Sequence, residues 1–567
     1  MLLASSIGLA PANAVVAAEP LNGLTLVQDQ VLSDDGRLHE LTLHSAALGR
    51  TNKVRVLLPA GYAGAAATAR RYPMLLLLHG AGGDQRSWTV SSDVESHTAP
   101  LGLIVVMPDA GKNSFYSDWL DGPQWETHLL DELVPWVDAT YRTVGTREGR
   151  AIAGLSMGGF GSMSYAARHP DRFVAAAAFS GAVDIADLGI VEAAALQALT
   201  LGDDRRWGPY LTEEANWRGH NPPDLATNLR WTSLRLATGN GVPCVGDNPP
   251  AGTLEAGVFS MNVGFSTRLS LGDVPHSIEL RPCGTHEWHY WDHDLAAWLP
   301  TLMATFADPA PPPAAFDYRT TEPVAAVWGW SFTARRPATE FLVLQSVSPG
   351  GLTATGSGPV DVVTAPVYEA GSTYEIGGTT AGIVTVPAAL VPPLATGPAG
   401  EAASAAAVAG ADGRLAFTLD LGPAHVADQY SPEGIAAEAA GLASYFHTVA
   451  VSITKTAGFP PSGPRTRRSR AHRDPAGRFP PPAPRRPSGP SSAPRSGWPP
   501  TSVDWPTRRA AERERGQGEA GPRTGAAGSW IELTPRRRSG TSHPLVRVAR
   551  ECQRGARRRC ARPDAAP

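Results

Sequence analysis

The chain has 567 residues and a formal net charge of −4, room for two or three domains. The charge is uneven: residues 460–567 carry 24 Arg, no Lys and 8 acidic residues, so the rest is strongly acidic, a soluble body with no specific nucleic-acid partner. No apolar run approaches the roughly 18 residues that span a bilayer, and none of the four cysteines sits in a C-x-x-C pair, so no zinc site, other metal or cofactor is expected.

The first residues are apolar and small, and Ala12-Asn13-Ala14 fits a signal-peptidase site, so 1–18 reads as a truncated signal peptide and the protein as secreted or cell-envelope associated. Residues 22–59 alternate as two antiparallel strands around Leu38–Leu43 and Val54–Leu58. The apolar runs 72–78 and 101–107 read as strands buried on both faces. Segment 125–141 reads as a helix, 150–153 as a short strand and 160–168 as a helix ended by His169-Pro170. Further strands follow at 173–179, 233–238 and 277–280, and a helix at 290–306. Strands alternating with helices imply an open α/β sheet over residues 20–308.

A proline linker fills 309–316, and 317–457 holds short strands between turn residues, at 327–332, 341–345, 352–355, 360–363, 374–376, 415–419 and 448–454. That pattern predicts an all-β, immunoglobulin-like sandwich. From 458 the chain is Arg, Pro, Ser, Gly and Ala and cannot bury a core. It reads as a disordered basic tail or as an out-of-frame translation, and the abrupt break favours the second.

The chemistry centres on Gly154-Leu155-Ser156-Met157-Gly158, a G-x-S-x-G elbow with a strand before it and a helix after it. Ser156 is the expected nucleophile. Its base belongs in the loop after the last strand, where His286 lies; His276, His289 and His293 are rivals on flanking positions. The acid belongs between 239 and 261, where Asp247 and Glu255 compete, and position alone favours Asp247. The oxyanion hole takes the Met157 N–H and one N–H from His79-Gly80-Ala81-Gly82-Gly83, with Ala81 the choice.

These residues resemble the esterase D/antigen 85 family, the mycolyltransferases in particular, over roughly 70–306. Gly111 to Trp119 with Trp125-Glu126-Thr127 matches its G-x-x-S-F-Y-S-D-W…W-E-T, Trp207-Gly208-Pro209 its W-G-P, Gly239-Asn240-Gly241 its G-N-G, and Gly284-Thr285-His286 its G-T-H. The resemblance implies an α/β-hydrolase fold, an acyl-enzyme on Ser156, and His286 as base. It also implies Glu255 as acid, seven residues before Asn262 as in the family, with Asp247 the alternative. His79 and Gly82 stand where the family has the Asp and Arg that contact trehalose; His79, Gly80, Trp119 and Trp288 are assigned to the substrate pocket. An acyl ester or glycolipid is the expected substrate, with cell-envelope contact through the sandwich. The rival class is an inert hydrolase scaffold acting as a secreted cell-wall binding protein.

In such a topology the loops holding Cys244 and Cys283 leave neighbouring strands at one edge of the sheet, within reach of a disulfide. Every expected site residue precedes the linker, so 20–308 is expected to be self-sufficient.

Overall fold

The structure, a computed structural model, describes residues 21–64, 69–187, 205–385, 403–439, 445–456 and 531–533. The signal-peptide reading of 1–18 and nearly all of the tail lie outside them.

Strands β1 (Leu24–Val31), β2 (Leu38–Ser45) and β3 (Arg50–Leu57) form an antiparallel meander. β1 is absent from the sequence reading because only its first residue is buried, which leaves no alternation to detect. β4 (Met74–Leu78) is followed by short helices α1 (Ser87–Ser91) and α2 (Val94–Thr98), then β5 (Ile104–Pro108). The expected 125–141 helix is a π-helical turn, Thr127–Leu133, running into α3 (Val134–Thr140). β6 (Arg150–Leu155) leads through Ser156 into α4 (Met157–Arg168), and β7 (Ala175–Phe179) follows. After α5 (Tyr210–His220) come β8 (Ser233–Thr238), α6 (Ala251–Leu271), β9 (His276–Leu280) and α7 (Trp288–Ala307).

These strands form one mixed sheet in the order β1-β2-β3-β5-β4-β6-β7-β8-β9, parallel from β5 to β9. Both faces are covered, so the central strands are apolar throughout. Leu76, Leu78 and Ile152 point into the layer with Phe160 and Met163 of α4 and Val258 and Phe265 of α6. Leu75, Leu77 and Ala151 point into the other, with Trp88, Trp291 and Trp298. The strand order turns back at β4, whose neighbours are β5 and β6. Loops leaving β4 and β6 therefore open a crevice at the C-terminal edge of the sheet, the ordinary place for a ligand.

The second region is all β. β10 (Phe316–Thr320), β13 (Leu342–Ser348), β14 (Gly351–Gly356), β16 (Thr373–Thr385), β17 (Ala403–Val408) and β19 (Tyr445–Lys455) make a six-stranded sheet. β11 (Val324–Val327), β12 (Trp330–Ala334), β15 (Pro359–Val363) and β18 (Ala416–Asp420) make a four-stranded one. The single strand expected at 327–332 is instead a hairpin. Trp328 and Gly329 both take positive φ, 51° and 79°, the geometry of a two-residue turn. One tail segment, β20 (Ile531–Leu533), pairs antiparallel with β9, so the tail contributes a strand where composition predicted none.

The two regions are joined by more than the proline segment. Asn228 is buried, donates to Ala167 O and Arg319 O, and accepts from Arg319 N. Tyr318 donates to Arg168 O at 2.7 Å, and Trp328 N–H donates to Asp171 Oδ2 at 2.9 Å. Phe341 of the β region belongs to the α/β core. Expecting 20–308 to be self-sufficient overlooked this interface, because its groups are scattered along the chain.

Candidate active site

Ser156 takes φ 53° and ψ −118°, a conformation that costs a non-glycine residue on the order of 1–3 kcal/mol. The fold holds it there. Ser156 N–H donates to Phe179 O at 3.0 Å, and Ser156 O accepts from Gly159, Phe160 and Ala182. Two glycines make the turn possible. A Cβ on Gly154 would sit 2.5 Å from Gly158 C, and one on Gly158 would sit 2.6 Å from Leu78 O. The helix that follows presents the N–H of Met157 first, and the first N–H groups of a helix have no intrahelical acceptor.

The loop after β4 lies against the same turn: a Cβ on Gly80 would meet Ser156 Cβ at 3.4 Å. Ala81, half-buried, is the next residue. The loop is tied from behind by Gly82 N–H to Lys112 O at 2.8 Å and by the Tyr116 hydroxyl to His79 O at 2.7 Å. His79 is 1% exposed. Its Nε2 accepts from Ala110 N–H at 3.0 Å, so Nδ1 carries the proton and donates to Gly80 O at 2.7 Å. Burial holds this imidazole below its ordinary pKa, against the Gly80 carbonyl that favours the charged form. His79 thus braces the loop through both ring nitrogens and its carbonyl.

Glu255 is fully buried in the first turns of α6. Its Oε1 accepts from Ser180 Oγ at 2.8 Å, Thr238 Oγ1 at 2.9 Å and Gly239 N–H at 2.7 Å. Its Oε2 accepts from His286 Nδ1 at 2.7 Å. A carboxylate can only accept, so Nδ1 is protonated and Nε2 is the basic nitrogen. The His286 ring packs edge-on against Trp291. Ser180 links the halves of the site: it follows β7, donates to Glu255, and sits two residues before Ala182, which bonds the serine turn.

Asp247 is elsewhere. It accepts from Cys244 N–H at 2.8 Å and the Tyr290 hydroxyl at 2.8 Å, and pairs with His289 at 3.4 Å. Burial raises its pKa, but these partners outweigh that and hold the carboxyl below its usual range. The rival histidines are likewise engaged: His276 with Ser266 Oγ and Val274 O, His293 with Asp294. Cys244 and Cys283 form a disulfide. Trp119 donates to Ser114 O at 3.1 Å under Arg205 and Arg206, and Trp288 packs between Trp88 and Trp291.

Three groups among the described residues bring metal-type ligand atoms together: Asp93/His97/Asp292, Asp247/Glu287/His289 and Glu279/His293/Asp294. In each, hydrogen bonds or ion pairs within the protein engage the side chains. Sequence reasoning missed Ser180 and Thr238. Ser180 directly follows β7, the neighbour of the elbow strand, and Thr238 ends β8, one strand further along, a positional signal that was available.

A doubly covered sheet, a strained serine at the end of β6, and a buried Glu–His pair after β8 and β9 define an α/β-hydrolase core. Residues 45–302 match the family described as putative esterase. Diacylglycerol acyltransferase/mycolyltransferase Ag85B of Mycobacterium leprae is 33% identical over 255 residues, 41% of this chain and 76% of that protein. The chain belongs to this esterase family. Esterase Rv1288 of Mycobacterium tuberculosis is 34% identical over 264 residues, 44% of this chain. The match spans 56%, about half, of that relative's length. A solved ferulic acid esterase is 26% identical, with a TM-score of 0.38 over 48% of this chain and 98% of that one.

Proposed function

We propose that the protein is a serine carboxylic-ester hydrolase or O-acyltransferase that forms an acyl-enzyme on Ser156. Ser156 Oγ attacks the ester carbonyl while His286 Nε2 takes its proton. Glu255 keeps the imidazole in the Nδ1–H tautomer and stabilises the imidazolium. The N–H groups of Met157 and Ala81 hold the oxyanion. His286 then protonates the leaving alcohol, and water or a second hydroxyl resolves the acyl-enzyme. The observation that carries this reading is the 2.7 Å Glu255–His286 bond, joined to the Ser156 turn through Ser180.

The relatives' names, esterase and acyltransferase, support both outcomes, with an acyl ester or glycolipid as substrate. The disulfide supports secretion into an oxidising compartment, and the α/β region 20–308, the linker 309–316 and an immunoglobulin-like β domain facing the cell envelope complete the reading. Fluorophosphonate should label Ser156, and p-nitrophenyl esters of graded chain length should be turned over. Added trehalose or glycerol should divert acyl groups from water if the enzyme is a transferase. An intact protein that neither labels nor turns over any ester would end the reading.

A further inference from the structure

The loops that deliver the acid and the base are stitched together along their whole length. Gly241 N–H donates to Gly284 O at 3.0 Å, and Gly284 N–H donates back to Val242 O at 2.8 Å. Asn240 Nδ2 reaches Pro282 O at 2.6 Å, and Asn248 N–H reaches Glu287 Oε2 at 2.9 Å. His286 N–H itself donates to Ala251 O at 3.3 Å, in the first turn of the helix that carries Glu255. Across this seam lies the Cys244–Cys283 bridge, with Cα atoms 5.3 Å apart. Asp247 fastens the far side: one carboxylate oxygen takes both Cys244 N–H and the hydroxyl of Tyr290, which stands in the first turn of α7, four residues after the base.

Apolar burial does not hold the acid loop. Val242 is 57% exposed and Val245 fully exposed, and residues 248–250 are exposed as well. A loop without a core anchor keeps its place by cross-links and hydrogen bonds, and a cross-link removes the freedom that would otherwise spread its ends. The base is sensitive to such spreading, since about 1 Å of misplacement can cost about a hundredfold in rate.

We propose that the Cys244–Cys283 bridge and the Asp247–Tyr290 pair are positioning elements for the base, setting the register of His286 on Glu255. This rests on the esterase reading above. Asp247, which sequence position offered as the acid, acts on the base from outside the reacting atoms.

The test uses the full chain, with any free thiols alkylated first. Oxidised protein is compared with protein reduced by a phosphine and with protein reoxidised afterwards. The readouts are kcat and KM on p-nitrophenyl butyrate, and a fluorophosphonate titration that counts competent Ser156 sites. Reduction should lower kcat about tenfold with KM within about twofold and the number of sites unchanged, and reoxidation should restore kcat. Asp247→Asn and Tyr290→Phe should show the same kcat-only signature, less than additive with reduction. An unchanged kcat after mass spectrometry confirms reduction would overturn the proposal while labelling keeps the esterase reading intact. So would a loss of kcat matched by a loss of titratable sites, which marks unfolding. Absence of labelling in the oxidised protein would overturn both.

Discussion

Helix α4 has a glutamate–histidine pair at each end. At its start, Glu255 bonds His286 at 2.7 Å and is joined to the Ser156 turn through Ser180; at its close, Glu126 bonds His169 at 2.7 Å. The ends lie about 18 Å apart along the helix. Glu255 meets three neutral donors and one imidazole. Glu126 meets a guanidinium as well as an imidazole, since Arg168 Nε lies 3.0 Å from the same oxygen that His169 bonds. Arg168 continues to Glu322 of the β region at 2.8 Å. Burial raises the pKa of Glu126, but Arg168 and His169 overcome it and hold the carboxyl far below the carboxylate range. Pair geometry alone therefore does not make a reactive site. The first pair leaves a basic nitrogen and is joined through Ser180 to a strained serine; the second is a charge latch that fastens the β region.

The largest effects belong at the first end. Ser156→Ala and His286→Ala should each lower kcat about ten-thousandfold or more, because the triad acts as a unit. Glu255→Gln should cost about a thousandfold to ten-thousandfold by disturbing the tautomer, whereas Asp247→Asn should stay within about tenfold. Steady-state kinetics on p-nitrophenyl butyrate, with folding checked by circular dichroism, decides the ranking; a larger loss for Asp247→Asn would return the acid role to it.

At the other end the effect should be on stability. Glu126→Gln strips Arg168 of its more buried carboxylate while leaving the guanidinium buried, a change worth about 3 kcal/mol. Thermal unfolding should show the loss, with kcat per titrated site unchanged. A drop in kcat without a drop in Tm would mean that the two ends of α4 are coupled.

This asymmetry explains what the sequence made legible. The runs ending at Leu78 and Pro108 are buried on both faces, so their hydrophobicity is continuous and visible. Ser156 and His286 follow strand ends, where the hydrolase topology puts chemistry. Helix α6 was hidden because Gly252, Gly257 and Gly264 lie within it, each costing about 1 kcal/mol of helix propensity. Gly252 is required there, since its Cβ would meet Gly241 O at 2.3 Å. Choosing Glu255 over Asp247 therefore needed the family resemblance. The latch was invisible because Glu126, Arg168 and Glu322 come together only in the fold.

Acid should act on the latch end. His220 is buried nearby, and burial, with Arg168 adding to it, pushes its pKa down to about 4. The unfolded chain binds this proton near pH 6.5 and the folded chain only near pH 4. Its contribution is therefore complete above pH 6.5 and lost as pH falls toward about 4, on the order of 3 kcal/mol. The lowered Glu126 acts in the same direction at still lower pH. Tm should fall across this window, and His220→Asn should flatten the upper part of the fall. An unchanged slope would place the acid sensitivity elsewhere.

The smallest effect should come from Glu322, and it separates a latch from a mere surface pair. Its side chain is 40% exposed, against 9% for Glu126, though both touch Arg168. Water screens Glu322 and can replace it, so Glu322→Gln should cost only about 0.5–1 kcal/mol. Arg168 would keep Glu126, and the β region would stay docked through Asn228 and Tyr318. The double variant Glu126→Gln/Glu322→Gln should cost more than the two singles together, because only then does the buried guanidinium lose both carboxylates. Chemical denaturation of the four proteins closes the cycle. Simple additivity would mean that Arg168 is held chiefly by its bonds to backbone carbonyls, such as Gly219 O at 3.1 Å, and that the two carboxylates act independently.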